Sequence, residues 1–289
     1  MHTSSFRDIF ILTRFPVSLA VTFSAFTAMV LETGEIQSEM LWPVAAIFFL
    51  AAGASAFNQY QEWPYDERMG RTRRRPIPSR RISPAEGLRI AMIGIVAGLV
   101  ILMYKSNWNC FLLGVANLVW YNGLYTWLKR KTAFAIVPGA MAGVIPVMMG
   151  WSAMEGDLMA PEVLFLAFFI FIWQMPHFWM MTLKYGEEYR NAGFPVLNDL
   201  FSDIWIKAIV MTWMTASSGA SILLVYFGIL QLAITGYVIM ATNVLLLIIM
   251  LYQLFFASPM RYRVIFMAGN IFMLIVMIAL IADQLISKI

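Results

Sequence analysis

The sequence predicts an all-α integral membrane protein: a bundle of about nine transmembrane helices around a central apolar cavity, with a polar lid on the cytoplasmic side. Three observations carry this prediction. Hydrophobic residues fill 61% of the 289 positions and charged residues only 12%, with a mean hydropathy of +0.75, far outside the range of soluble domains. The apolar residues fall into nine runs, each near the roughly 20 residues a helix needs to cross a bilayer. Lysine and arginine collect in alternate connections, as they do in cytoplasmic loops.

The runs are taken in order, with limits set by the roughly 20-residue span. The first, about 15–31, follows Arg14 with no cleavage site, so a span is expected and not a removed leader. The second, about 41–57, stops at Asn58. The third, about 87–104, contains Gly94 and Gly98, whose spacing lets helices approach closely. The fourth, about 108–127, ends in Tyr121-Asn122-Gly123-Leu124-Tyr125-Thr126-Trp127, and the fifth, about 133–151, repeats the small-residue spacing with Gly139 and Gly143. The sixth, about 162–182, holds Trp173-Gln174-Met175-Pro176-His177-Phe178-Trp179. Runs at about 206–228, 232–255 and 264–286 complete one transmembrane domain covering 1–289, with cytoplasmic connections expected at about 58–86 and 183–205. Asn117, Asn243 and Asn270 are polar within spans, but no charged residue sits at a span centre, which argues against an ion pump.

Charge placement orients the chain. With the N-terminus in the cytoplasm, every lysine and arginine except Lys105 and Lys288 falls on that side, and nine spans leave the C-terminus outside. In a bacterial cell this places the protein in the inner membrane. The basic pI of about 9.2 therefore describes cytoplasmic loops beside a lipid bilayer and calls for no nucleic acid. Cys110 is the single cysteine, which excludes an intramolecular disulfide and a thiolate metal cluster. The 22 Met and 22 Phe read as packing and lipid-facing residues.

Chemistry concentrates after the second run. Asn58, Glu62 and Asp66 recur every four residues, which on a helix keeps an amide and two carboxylates on one side. Magnesium is typically held by one or two carboxylates with waters and phosphate oxygens, and arginine is the planar donor suited to phosphate. Arg71 and Arg75 follow directly. Acids followed by arginines therefore read as a Mg-diphosphate site. An ordinary cytoplasmic loop, in which the arginines set topology and the acids balance them, accounts for the same charges. Tyr121 and Tyr125 read either as aromatic faces for a cation or as an interfacial belt. The histidines are His2 and His177; His177 reads either as a haem ligand or as a packing residue near a helix end.

The pattern Asn58-x3-Glu62-x3-Asp66-x2-Met69-x-Arg71-Thr72-x2-Arg75-Pro76-x-Pro78-Ser79 resembles the first polar motif of the UbiA-type intramembrane prenyltransferases, in the form of the branch that farnesylates protohaem IX. Tyr125-Thr126-Trp127-Leu128-Lys129-Arg130-x-Thr132 resembles that branch's segment after the fourth helix. Trp173 to Trp179, followed by Glu188-Tyr189-x3-Gly193-x-Pro195-x-Leu197, resembles its sixth-helix motif. The resemblance extends over nearly the whole chain. Glu62 and Glu188 stand where aspartate is common, Pro64 where an acid is frequent, and Arg80 where glycine is expected. Pro64 removes a helical donor, so the helix is expected to kink or end there, with Asp66 in a loop.

The resemblance implies transfer of a farnesyl group from farnesyl diphosphate to a vinyl group of haem B, with addition of water, giving haem O. It also implies Mg2+ as cofactor and, as partners, haem A synthase or a terminal oxidase assembly. Asn58, Glu62 and Asp66 would hold the metal, with Glu188 as a second contact. Arg71, Arg75, Lys129 and Lys184 would bind the diphosphate, Asp66, Arg71, Tyr125, Lys129, Lys184 and Glu188 would form the catalytic set, and His177 would bind haem. Two other functions remain open from the residues: prenyl transfer to a quinone precursor or another ring, and a membrane haem carrier or transporter without chemistry.

Overall fold

A computed structural model describes residues 5–227 and 229–288; His2 lies outside them. The described chain is helical, with no strand among its elements. A short helix α1 (Phe6–Leu12) is capped by the Ser5 hydroxyl, which accepts the Arg7 N–H. Then come α2 (Phe15–Thr33), α3 (Leu41–Asp66), α4 (Pro84–Lys105) and α5 (Trp108–Leu118). A π-helical segment, Val119–Tyr125, joins α5 to α6 (Thr126–Leu128). The rest are α7 (Ile136–Ala153), α8 (Pro161–Asn191), α9 (Asp203–Tyr226), α10 (Ala233–Leu251), which continues as a π-helical turn Tyr252–Phe256, and α11 (Tyr262–Ile286).

Eight of these helices are long and apolar enough to cross a membrane, so the protein is multi-pass. The fourth expected span, near 108–127, is present as α5, the π segment and α6 in continuous succession, broken in its hydrogen-bond pattern but not in its path. Each spanning helix packs on the next, and α11 returns to α2, closing a ring; α2 also packs against α7 across it.

The expected cytoplasmic connections are shorter than predicted. Helix α3 runs through Pro64 and ends with Asp66 as its last residue, so Asp66 is not in a loop. The missing Pro64 N–H costs one helical bond, but the next turn is held by Glu67 N–H donating to the Trp63 carbonyl at 3.1 Å and by Thr72 Oγ1 donating to the Asp66 carbonyl at 3.0 Å. Helix α8 likewise continues past Lys184 and Glu188 to Asn191. Arg80, where a glycine was expected, sits in the left-handed region at φ 62°, a conformation that favours glycine.

Small residues set a close helix contact between α3 and α4. A methyl at Gly53 would fall 2.6 Å from the Ile95 nitrogen, one at Gly94 3.0 Å from the Gly53 Cα, and one at Gly98 2.8 Å from the Ala46 carbonyl. The backbones of α3 and α4 thus touch, as small-residue seams allow in lipid, where packing replaces the hydrophobic effect.

Candidate active site

The C-terminal end of α3 supplies the core of the site. Asn58, Glu62 and Asp66 are all buried there, and each meets a base. Arg75 donates to Asp66 Oδ2 at 2.7 Å, Lys129 pairs with Glu62 Oε1, and Arg14 donates from Nη2 to Asn58 Oδ1 at 3.4 Å. The other side of Asn58 donates to Thr126 Oγ1 at 3.1 Å, tying α3 to the end of the fourth span.

Arg14 escaped the sequence reading, which gave it a topological role. It sits at φ 47° between α1 and α2, within the field of Glu62, Asp66, Tyr121 and Tyr125. Gln59 fixes that break: its Nε2 donates to the Ile11 and Leu12 carbonyls at 2.9 and 2.8 Å. An arginine immediately before a span was the one available signal, and in a membrane protein that signal usually reports topology.

The fourth span contributes the aromatic wall. Tyr121 and Tyr125 stack with centroids 5.8 Å apart, and Lys129 Nζ lies 5.2 Å from the Tyr125 centroid. Both tyrosines lie in the π segment, a deviation that concentrates at functional sites. The same segment is braced by Asn122, which donates to the Ala54 carbonyl at 3.0 Å, and by Gln61 Nε2, which donates to the Asn122 carbonyl at 2.9 Å. Tyr125 rests on Gly139, where a methyl would approach the ring to 2.6 Å.

Helix α8 supplies the opposite side. Glu188 Oε2 accepts the Arg71 backbone N–H at 3.0 Å, and Arg71 Nη2 donates to the Tyr189 hydroxyl at 3.2 Å. The Arg71 guanidinium covers the Tyr185 ring at 5.0 Å. Lys184 stands apart: it is exposed and contacts the Tyr185 ring at 4.8 Å. Beneath these polar contacts, buried Met69, Ala192 and Phe194 pack with Tyr65 and Tyr189. The connection after α3 is thereby fastened to the one after α8, as a lid. His177 is outside this cluster. It packs among Trp173, Phe178 and Phe266, with centroids at 5.4, 6.0 and 4.1 Å, about 10 Å along α8 from Lys184 by helical rise.

Positive charge exceeds negative in the buried part of the site. Burial pulls the Arg75 guanidinium below its usual range, as does its neighbour Arg14, against the opposing pull of Asp66. Burial likewise lowers the Lys129 ammonium, opposed by Glu62 and reinforced by Arg14 and Arg75. Cations crowded this way in a poorly solvated site favour an anion. No three His, Cys, Asp or Glu converge into a metal cage among the described residues. Asn58, Glu62 and Asp66 nevertheless share one buried stretch of α3, an amide and two carboxylates met at rest by Arg14, Lys129 and Arg75. One or two protein carboxylates completed by phosphate oxygens suit Mg2+.

Comparisons with known proteins agree with this geometry. The model of the UbiA prenyltransferase family matches residues 20–282. A protoheme IX farnesyltransferase of Oleidesulfovibrio alaskensis is 32% identical over 290 aligned positions, covering 95% of each chain. Among solved structures, the apo form of a UbiA homologue from Aeropyrum pernix superposes with a TM-score of 0.75 at 16% identity, covering 96% of this chain and 99% of that one. A UbiA homologue from Archaeoglobus fulgidus bound to GPP and Mg2+ gives a TM-score of 0.71 at 13% identity, covering 98% of this chain and 100% of that one. With a family model matched over most of its length and a relative aligned from end to end, the chain belongs to the UbiA prenyltransferase family.

Proposed function

We propose that the protein transfers a farnesyl group from farnesyl diphosphate to a vinyl group of haem B, with addition of water, giving haem O. The observation that carries this reading is the end-to-end relation to a protoheme IX farnesyltransferase. The cation-rich cluster at the end of α3 supports it.

Asn58, Glu62 and Asp66 would hold Mg2+ from one side and Glu188 from the other. The metal, when bound, neutralises charge building on the diphosphate as the allylic C–O bond breaks. Arg14, Arg75 and Lys129 give the carboxylates their charge balance at rest. When a diphosphate arrives they turn to its oxygens and free the carboxylates. Arg71 joins them at the lid, and Lys184 serves at the rim as an entry contact. Donors preset around the leaving group are typically the largest catalytic contribution.

The faces of Tyr121 and Tyr125 line the path of the allylic cation and stabilise it by cation–π attraction. The aromatic setting of His177 suits the flat face of a porphyrin, and we assign it to haem binding. The orientation follows from the basic loops: N-terminus cytoplasmic, C-terminus outside, in the inner membrane, so both charged substrates enter from the cytoplasm.

The test is mass analysis of haems after incubating purified protein with haem B, farnesyl diphosphate and Mg2+. A chelator-sensitive hydroxyethylfarnesyl haem is expected. Unchanged haem B from folded protein, with diphosphate released on aromatic ring acceptors, would move the assignment to another acceptor.

A further inference from the structure

The chain leaves the fourth span at Lys129 without a long helix behind it. Helix α6 is a single turn, Thr126–Leu128, that follows the π segment, and Thr132 is already extended. Regular hydrogen bonding therefore does little to set where Lys129 stands. Side-chain contacts do that instead.

Three successive basic residues differ sharply in those contacts. Lys129 is partly buried and pairs with Glu62. Lys131 is exposed and lies over the ring of Trp127 in its own segment, 6.0 Å from the centroid, as an interfacial cation ordinarily does. Arg130 is partly buried and crosses to α3. Its Nη2 donates to the Gln61 carbonyl at 3.0 Å, and its guanidinium covers the Tyr65 ring at 4.8 Å. Its Nε is buried with no acceptor, which leaves the carbonyl and the ring as its anchors.

Gln61 and Tyr65 lie one turn apart on α3, each immediately before a carboxylate, Glu62 and Asp66. Adjacent residues of the fourth span thus hold adjacent residues of α3: Lys129 takes the side chain of Glu62, and Arg130 takes the backbone just before it. The seat of Arg130 is itself fixed. Tyr65 packs on Phe194 with centroids 5.2 Å apart, against the buried cluster of Met69, Ala192 and Phe194. The Gln61 amide donates to the Asn122 carbonyl at 2.9 Å and accepts from Asn122 Nδ2 at 3.3 Å.

The two grips respond differently to substrate. Mg2+ on Glu62 and phosphate oxygens on Lys129 would part the first pair, because the ligand claims both partners. The second grip uses an aromatic face and a carbonyl, which has two lone pairs, and it takes nothing from the carboxylates. We propose that Arg130 is a positioning residue, pinning the end of the fourth span to α3 while Lys129 passes from Glu62 to the diphosphate. The inference rests on the diphosphate role given to Lys129 above. A planar guanidinium suits the task because it donates and stacks at once, whereas a lysine ammonium is a point charge.

The experiment measures, by calorimetry in detergent, the affinity of purified protein for farnesyl thiolodiphosphate, an unreactive analogue, with Mg2+. Lys129→Met and Arg130→Met are each expected to weaken binding about tenfold, equivalent to about 1.4 kcal/mol. The double variant should bind no more than about twofold worse than the weaker single one, because a pin has nothing to place once the lysine is gone. Tyr65→Leu withdraws the ring and takes the place of Arg130→Met in the same cycle if that variant does not fold, whereas Tyr65→Phe keeps the ring and should bind as wild type does. Losses that multiply to about a hundredfold in the double variant overturn the inference, since Arg130 would then act independently of Lys129. Wild-type affinity in Arg130→Met overturns it too. Wild-type affinity in Lys129→Met removes the lysine from the diphosphate site and the inference with it, whereas a protein that binds the analogue yet farnesylates no haem loses only the proposed acceptor.

Discussion

Arg14 and Gln59 show how one residue can act through another. Gln59 is buried, and its two hydrogen bonds to carbonyls fix the break between α1 and α2. From that break Arg14 reaches Asn58. Arg14→Gln should lower kcat roughly 10²-fold, the usual loss on removing one preset electrostatic donor. Gln59→Leu should approach the same loss although it touches no substrate, and it should also lower the unfolding temperature in detergent, because two buried carbonyls lose their donor. Full activity in Gln59→Leu would detach Arg14 from the catalytic set. Asp66→Asn is nearly isosteric but leaves Arg75 without its partner carboxylate; turnover should be lost while the protein stays monodisperse, and near-normal turnover would remove Asp66 from the metal site. Asn58, Glu62 and Asp66 could be grouped because they recur at helical spacing, and Arg75 because it follows within the same short stretch. Arg14 was not, because its contact with Asn58 spans 44 positions and depends on a left-handed residue that no local pattern announces.

At the scale of the helix, hydropathy located every span, since a run of apolar residues and a bilayer thickness fix both existence and approximate length. It failed where helices continue into the polar region. Hydropathy ended the second and sixth spans at the membrane edge, whereas α3 and α8 carry their acids up to about two and a half turns further as helix. The π segment was also invisible, because Val119–Tyr125 differs from α-helix only in hydrogen-bond register. That register sets the tyrosines against α7, and Gly139 makes the room. Gly139→Ala places a methyl 2.6 Å from the Tyr125 ring, so the ring must move. We expect kcat to fall about tenfold or more, equal to roughly 1.4 kcal/mol, with little change in diphosphate affinity. Gly123→Ala in the same segment meets nothing within 4 Å and should leave both unchanged. Equal effects of the two substitutions would mean that backbone freedom, not the seat of Tyr125, is what the segment requires.

Over the whole molecule, the ring of helices brings the ends of α3 and α8 together, although the residues they join, Arg71 and Glu188, are 117 positions apart. The apolar side of that junction is Met69, fully packed against Ala192 and Phe194, a residue the motif included but whose role depended on a partner loop the sequence could not place. If the junction is a latch, its strength should govern substrate retention more than the stability of the spans, because the spans are held by their own seams. Met69→Ala removes a buried side chain, a change that typically costs about 2–5 kcal/mol in a packed core, and here most of that cost should fall on lid closure. Limited proteolysis within residues 67–83 should accelerate, KM for the diphosphate should rise, and the main unfolding transition in detergent should shift by less than the same truncation at Met149, which is buried between the spans. Saturating diphosphate with Mg2+ should restore protection of the loop, since a ligand bridging α3 and α8 supplies by binding the closure that the methionine supplies by packing. If Met69→Ala lowers the main transition as much as Met149→Ala while loop cleavage is unchanged, the junction is part of the rigid frame, and the connections after α3 and α8 do not open as a separate unit.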